Sequence, residues 1–192
     1  MRGNRKTSGR SVAKITLPLR SLRRSVKVTS VAEQWFLKID GIVGDSTVVN
    51  HKDEIDVLSW SWGVTQTGGT PGAGGGGGAG KASLQDFHFV SHLSKASPKL
   101  FLSCATGTHH KSASLSGVRV GGKGPSSEFL KYKLSDVVIT SDQQAGNQGD
   151  FPVEQFSLNY SKIEITFTPQ TATGGAGTAI KAGFDVKANK KI

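Results

Sequence analysis

A mostly β fold, an antiparallel β-barrel or pair of packed sheets with one short α-helix at its side, is what this 192-residue sequence predicts. Three observations carry that reading. Apolar and polar residues alternate at period two in several separate segments, as in strands buried on one face. Glycine accounts for 25 residues and the hydrophobic share is 35%, which suits strands joined by many turns better than a helical bundle. Only one segment combines helical spacing with a helix-start signal.

The length suits one domain with a sizeable core, assigned to residues 31–192. No apolar run approaches the roughly 20 residues that a membrane helix needs, so no membrane insertion is expected. Cys104 has no second cysteine to pair with, which agrees with folding in a reducing cytoplasm. The formal charge of +10 is unevenly placed: residues 1–30 hold nine Lys and Arg and no acid, whereas 31–192 hold fifteen basic and fourteen acidic residues. The charge belongs to an extension expected to be disordered, and the domain itself is nearly neutral. Within residues 1–30, Ile15 to Leu22 is broken by Thr16, Pro18, Arg20 and Ser21. That leaves no continuous apolar core of roughly 7 to 15 residues, so no signal peptide is expected. A basic arm for nucleic acid or acidic lipid is chemically open. Tails of this composition also occur with no specific partner.

The elements follow in order. Trp35, Leu37 and Ile39 alternate with Phe36, Lys38 and Asp40, a strand with one buried face, and Gly41 to Thr47 supplies turn chemistry. Leu58, Trp60, Trp62 and Val64 form one face of the next strand, with Val57, Ser59, Ser61 and Gly63 opposite. Phe87, Phe89 and Leu93 alternate with Asp86, His88 and His92. Ser97 then suits an N-cap and Pro98 the first helical position, with Leu100, Phe101, Cys104 and Ala105 on one helix face and Gly107 as the stop. Segments 112–120, 128–140 and 181–187 read as further strands, the first with the weakest pattern. Phe156, Leu158 and Tyr160, then Ile163, Ile165 and Phe167, give two strands joined by a turn at Tyr160-Ser161-Lys162.

Chemical motifs weigh little against ordinary structural readings. Gly75 to Ser83 nearly fits a phosphate-binding loop, but Ala82 stands where a Mg²⁺-binding hydroxyl is needed and a strand follows where a helix should start. Glycine is nine of the thirteen residues from Gly68 to Gly80, a flexible low-complexity run. Cys104, His109 and His110 lack the paired spacing of a zinc site; Cys104 reads as a small core residue and the histidines as neighbours of the helix-end carbonyls. Asp86 and His88 fall on one strand face and Ser91 on the other, so no triad converges there. Phe129, Lys131, Tyr132 and Lys133 mix basic and aromatic residues, yet alternate as a strand with one solvated face. No catalytic residue, metal ligand or cofactor is assigned, and neither enzyme activity nor nucleic-acid binding by the domain is expected.

Residues Trp35 to Val64, Leu84-Gln85-Asp86-Phe87-His88-Phe89, Ala96 to Phe101, Cys104 to Gly107, Leu134 to Ile139, Glu154 to Tyr160 and Lys181 to Ile192 together resemble, in order, the Hcp (haemolysin-coregulated protein) family. These are the tube subunits of the bacterial type VI secretion system. The resemblance implies a β-barrel related in shape to phage tail-tube proteins, which assembles in the cytoplasm into six-membered rings. The rings stack into a tube that a contractile sheath drives out of the cell with a spike, and small effector proteins ride in the lumen. It also implies that Thr67–Lys81 projects toward the next ring, with Thr67, Gly68, Gly69, Thr70, Pro71, Gly80 and Lys81 as its stacking residues. A carrier ring that holds effectors without long tubes is the alternative. Val31-Ala32-Glu33-Gln34-Trp35-Phe36 looks like a family start, so translation is expected to begin at position 31. The close of the chain resembles the family terminus, so effectors are expected to be separate proteins.

Overall fold

The computed structural model describes residues 32–66, 81–120 and 126–192. The basic segment 1–30 and the loop residues 67–80 lie outside them. The first strand, β1 (Ala32–Ile39), pairs with β2 (Ile55–Ser61) on one side and with β6 (His109–Val120) on the other. From β2 the sheet continues through β5 (Phe87–His92) to β8 (Val153–Phe167), then to β7 (Ser127–Ala145), which pairs back with β6. Six antiparallel strands thus close into a barrel, and closure covers backbone edges that would otherwise be open to pairing. Two appendages leave this ring. The strands β3 (Val64–Gln66) and β4 (Ala82–Leu84) form a separate ribbon at the base of the glycine-rich loop. The strands β9 (Ile180–Asp185) and β10 (Lys190–Lys191) extend the sheet beyond the second half of β8.

The period-two residues fill the interior. Leu37, Ile39, Ile55, Phe87, Phe89, Leu115, Leu134, Val137, Ile139, Phe156, Leu158 and Ile163 are all buried in one cluster. Phe87 sits at its aromatic centre, stacked on Phe89 at 5.7 Å and on Trp62 at 5.4 Å, with Tyr132 edge-on at 5.2 Å. Aromatic pairs at these separations add to the area they bury. Gly117 has a packing reason: a Cβ there would meet the Trp35 ring at 2.5 Å, so the indole lies against bare backbone.

Strict alternation fails at three places, each for a local reason. In β2 the register against β5 slips between Val57 and Ser59, leaving Leu58 as an extra residue. This bulge turns Val57 and Trp60 toward the barrel and leaves Leu58 half exposed, whereas alternation groups Leu58 with Trp60. Val64 is likewise exposed, on the ribbon. On β1, Phe36 is buried although it faces away from Leu37, because the His51 ring stacks on it at 4.4 Å.

The third place is Tyr160-Ser161-Lys162, which is not a turn. β8 runs unbroken for 15 residues, pairing with β5 through Val153–Leu158 and with β9 through Lys162–Phe167. Its inward parity flips between Tyr160 and Ile163, and that of β7 flips between Leu134 and Val137. At this rung Asp136 has φ +53° and its carboxylate accepts from Ser161 Oγ at 2.6 Å. An Asp tolerates the left-handed region better than most residues. Both strands change inward parity together here while their pairing continues, so the flip has the sequence signature of a break without being one.

The helix α1 (Ser97–Thr106) lies where expected, but its start and buried face differ. Ala96 is the N-cap, and Ser97 Oγ accepts from Ser94 N at 3.0 Å rather than capping. Leu100 and Ser103 face the barrel while Phe101 and Leu102 are exposed. Gly107 ends the helix at φ +61°, its N–H on Cys104 O and that of Thr108 on Ser103 O. In the strand before the helix, Ser91 takes the inward place after Phe89 on β5, and Leu93 falls beyond the strand, half-buried.

Candidate functional site

Two surfaces among the described residues contrast in chemistry: an apolar groove beside the β3–β4 ribbon, and a polar recess on the outside of the barrel. Trp62 leaves β2 and donates from Nε1 to the Tyr160 hydroxyl, which itself donates to Gln85 O at 3.2 Å. Gln85 N bonds Gly63 O at 2.9 Å, so the ribbon leaves the barrel from a fixed base. Burial pushes the Tyr160 phenol up to about 12, with the Trp62 bond opposing it. The ribbon then stands over the second half of β8 and over β9. Between them lies a groove of about 230 Å³ lined by Trp62, Val64, Leu84, Ile163, Ile165 and Phe184 among others. Among the described residues nothing from this chain covers it.

The recess has the opposite chemistry. Ser59, Ser61, His88, Ser141, Gln143 and Gln155 line about 420 Å³ across β2, β5, β8 and β7, with no Asp, Glu, Lys or Arg among the lining residues. Elsewhere the outer surface is charged and paired: Lys131 with Glu128 at 3.1 Å, Lys133 with Glu164 at 3.3 Å and Lys162 with Asp185 at 3.0 Å. The two lysines that suggested a single-strand surface are therefore each matched by an acid.

Of the stacking residues expected at the loop, Thr67, Gly68, Gly69, Thr70, Pro71 and Gly80 lie outside the described residues. Lys81 is exposed and immediately precedes β4. A strand thus begins at Ala82, as the reading against a phosphate loop requires. Asp86 is occupied structurally, accepting from Thr140 Oγ1 at 2.6 Å and Asn159 Nδ2 at 2.7 Å, while His88 is exposed and Ser91 buried. Cys104 is half-buried. His109 and His110 do not meet the helix-end carbonyls. They open β6, with His109 Nδ1 2.8 Å from Asp136 Oδ1 and His110 Nδ1 2.8 Å from Asp40 O. Among the described residues no three His, Cys, Asp or Glu side chains could together hold a metal ion. None of the described helices is long and apolar enough to cross a membrane.

The sequence does not announce the groove, because its walls come from segments around 62–64, 82–84, 163–165 and 182–184 that meet only after closure. Glu154 shares parity with Phe156, Leu158 and Tyr160, and a carboxylate on an apolar row is a readable signal of a buried charge.

Residues 36–167 match the family described as type VI secretion system effector, Hcp. The chain is 36% identical over 161 residues to protein hcp1 of Pseudomonas aeruginosa, an alignment covering 83% of this chain and 98% of that protein. Among solved structures it is similar to Hcp1 from Salmonella typhimurium, at 34% identity and TM-score 0.68, over 84% of this chain and 99% of that one. It is similar also to a type VI secretion system effector from Yersinia pestis, at 35% identity and TM-score 0.62, over 79% of this chain and 99% of that one.

Proposed function

The chain belongs to the Hcp family of type VI secretion effectors, and from that premise we propose that it is a ring-forming tube subunit, six copies closing into a ring and rings stacking into a tube. Assembly takes place in the cytoplasm, and the product leaves through the type VI apparatus with its sheath, spike and effector partners. The observation that carries the reading is the groove beside the ribbon. A surface so nearly free of polar atoms gains from being covered, and a ring of identical subunits supplies the same cover to each copy. The residues assigned here to ring stacking, Thr67, Gly68, Gly69, Thr70, Pro71, Gly80 and Lys81, belong to the segment that links β3 to β4. The role is structural, with no enzyme activity and no cofactor, and the nearly neutral domain is not a nucleic-acid binder.

Light scattering coupled to size exclusion tests ring formation: a hexamer at micromolar concentration is expected, and a monomer overturns the proposal. Negative-stain microscopy of a variant lacking Gly72–Gly78 tests the loop. Rings that persist with altered stacking are expected, and loss of the rings themselves contradicts the assignment.

A second reading, a carrier ring without long tubes, is favoured by the glycine content of the loop, nine of thirteen residues from Gly68 to Gly80. Ordering such a segment against a neighbouring ring costs about 1–2 kcal/mol per residue in backbone entropy, so isolated rings form more readily than long tubes. Rings that co-purify with cargo but show no stacks would select this reading.

A further inference from the structure

Glu154 is fully buried on the inward row of β8, beneath the start of α1. Two neutral groups hold it: Ser97 Oγ donates to Oε2 at 2.7 Å and Gln144 Nε2 to Oε1 at 2.8 Å. Directly across the β5–β8 pair stands Ser91, 1% exposed, whose Oγ has no partner. Gln144 pairs with Glu154 across β7 and β8, and Asp142 lies two residues before it on the same side of β7, one diagonal step from Glu154. Asp142 Oδ1 is buried and accepts no hydrogen bond.

Among the described residues no cation compensates this pair. On β5, His92 is exposed with its ring edge-on to Phe151 at 5.2 Å. Before α1, Lys95 is engaged by Asp53 at 3.2 Å and Asp45 at 3.8 Å, and on α1 itself Lys99 is exposed. On the connection between β7 and β8, Asp150 is exposed and of the wrong sign. Two adjacent carboxyls in a site without a cation do not both stay ionised; one proton bridges them.

We propose that Asp142 and Glu154 share one proton, and that its loss unlatches the ends of β7 and β8 together with the connection between them. The barrel end is thus a pH-sensitive latch, a property independent of the tube assignment. In agreement, burial and then the Glu154 charge push the Asp142 carboxyl up to about 6 from 3.8. The folded value lies above the unfolded one, so the latch is intact at low pH and weakens as pH rises through about 6. A shift of this size corresponds to at most about a hundredfold. That full factor accrues only as pH falls to about 4; between about pH 5 and about pH 7.5 the linkage gives about tenfold, an upper value given the partial exposure of Asp142.

The test is hydrogen–deuterium exchange of the full chain, read on peptides spanning 141–157 at about pH 5 and about pH 7.5, with rates corrected for intrinsic exchange. Wild type is expected to protect this segment about tenfold more at the lower pH. Asp142→Asn is expected to show acid-like protection at both values. If that variant does not fold, Glu154→Gln gives the same comparison. Equal wild-type protection at both values overturns the proposal, as does a pH dependence that survives either substitution. Protection restored to wild type at about pH 7.5 by millimolar Mg²⁺ or Ca²⁺, and not to Asp142→Asn, would make the pair a cation site and sink the shared proton.

Discussion

Replacing Val57 and, separately, Leu58 by serine tests the bulge that sets the inner face of β2. Val57 is 7% exposed and Leu58 is 52% exposed. Removing the Val57 side chain forfeits roughly 1.5–3 kcal/mol of burial. A serine hydroxyl left in its place without a partner costs about 1–3 kcal/mol more. The sum, about 2.5–6 kcal/mol, is a large part of the roughly 5–15 kcal/mol by which a domain is normally stable. Leu58 already stands half in water, so its serine variant should lose about 0.5 kcal/mol or less. Urea denaturation followed by far-ultraviolet circular dichroism measures both, compared at constant m-value. Repeating it at about tenfold dilution separates any contribution of subunit contacts. Uninterrupted alternation from Leu58 through Trp62 predicts the reverse order. Equal losses, or a larger loss at Leu58, would refute the bulge.

Gly117→Ala would place a methyl 2.5 Å from the Trp35 ring, and a loss of about 1–3 kcal/mol is expected, read as a lowered Tm. Asp136 is held well below the usual carboxylate range by Lys187 at 2.7 Å, then Ser161 and His109. Its folded value is below the unfolded 3.8, so its stabilisation is present above that pH and is lost as pH falls. Asp136→Asn keeps the left-handed backbone accessible, so the variant should have a lower Tm at neutral pH and a shallower fall of Tm on acidification. Tyr160→Phe gives up the bonds to Trp62 and Gln85 and should cost about 1–2 kcal/mol in the same denaturation assay. In the wild type, burial raises both Tyr132 and Tyr160, so the ultraviolet titration of tyrosinate should have its midpoint above the ordinary value of 10.0.

Most strands were legible because a barrel wall obeys the two-residue period, and Trp35 through Ile39 or Phe87 through Phe89 show it plainly. What escaped were the places where the backbone slips phase. Leu58 looks like a core residue to any periodic reading, since a bulge adds one residue and leaves no special composition behind. Ser161 looks like a turn because a parity flip and a chain reversal share one signature; only the long-range pairing with β7 tells them apart. Apolar spacing misplaces the face of α1 for a related reason, because Phe101 is apolar yet exposed and Ser103 polar yet buried. The groove was invisible since its walls are far apart in sequence, and the loop residues named for stacking rested on likeness alone.

The division of β8 between β5 and β9 has a mechanical consequence. Its first half belongs to the closed barrel, where every strand has two neighbours. Its second half carries β9, whose only other pairing among the described residues is the two-rung one with β10. Tension applied at the C-terminus would therefore peel β9 away one rung at a time, while the barrel would have to shear many rungs at once. A chain pulled from that end sheds a tab before it tears, and the tab is one wall of the apolar groove.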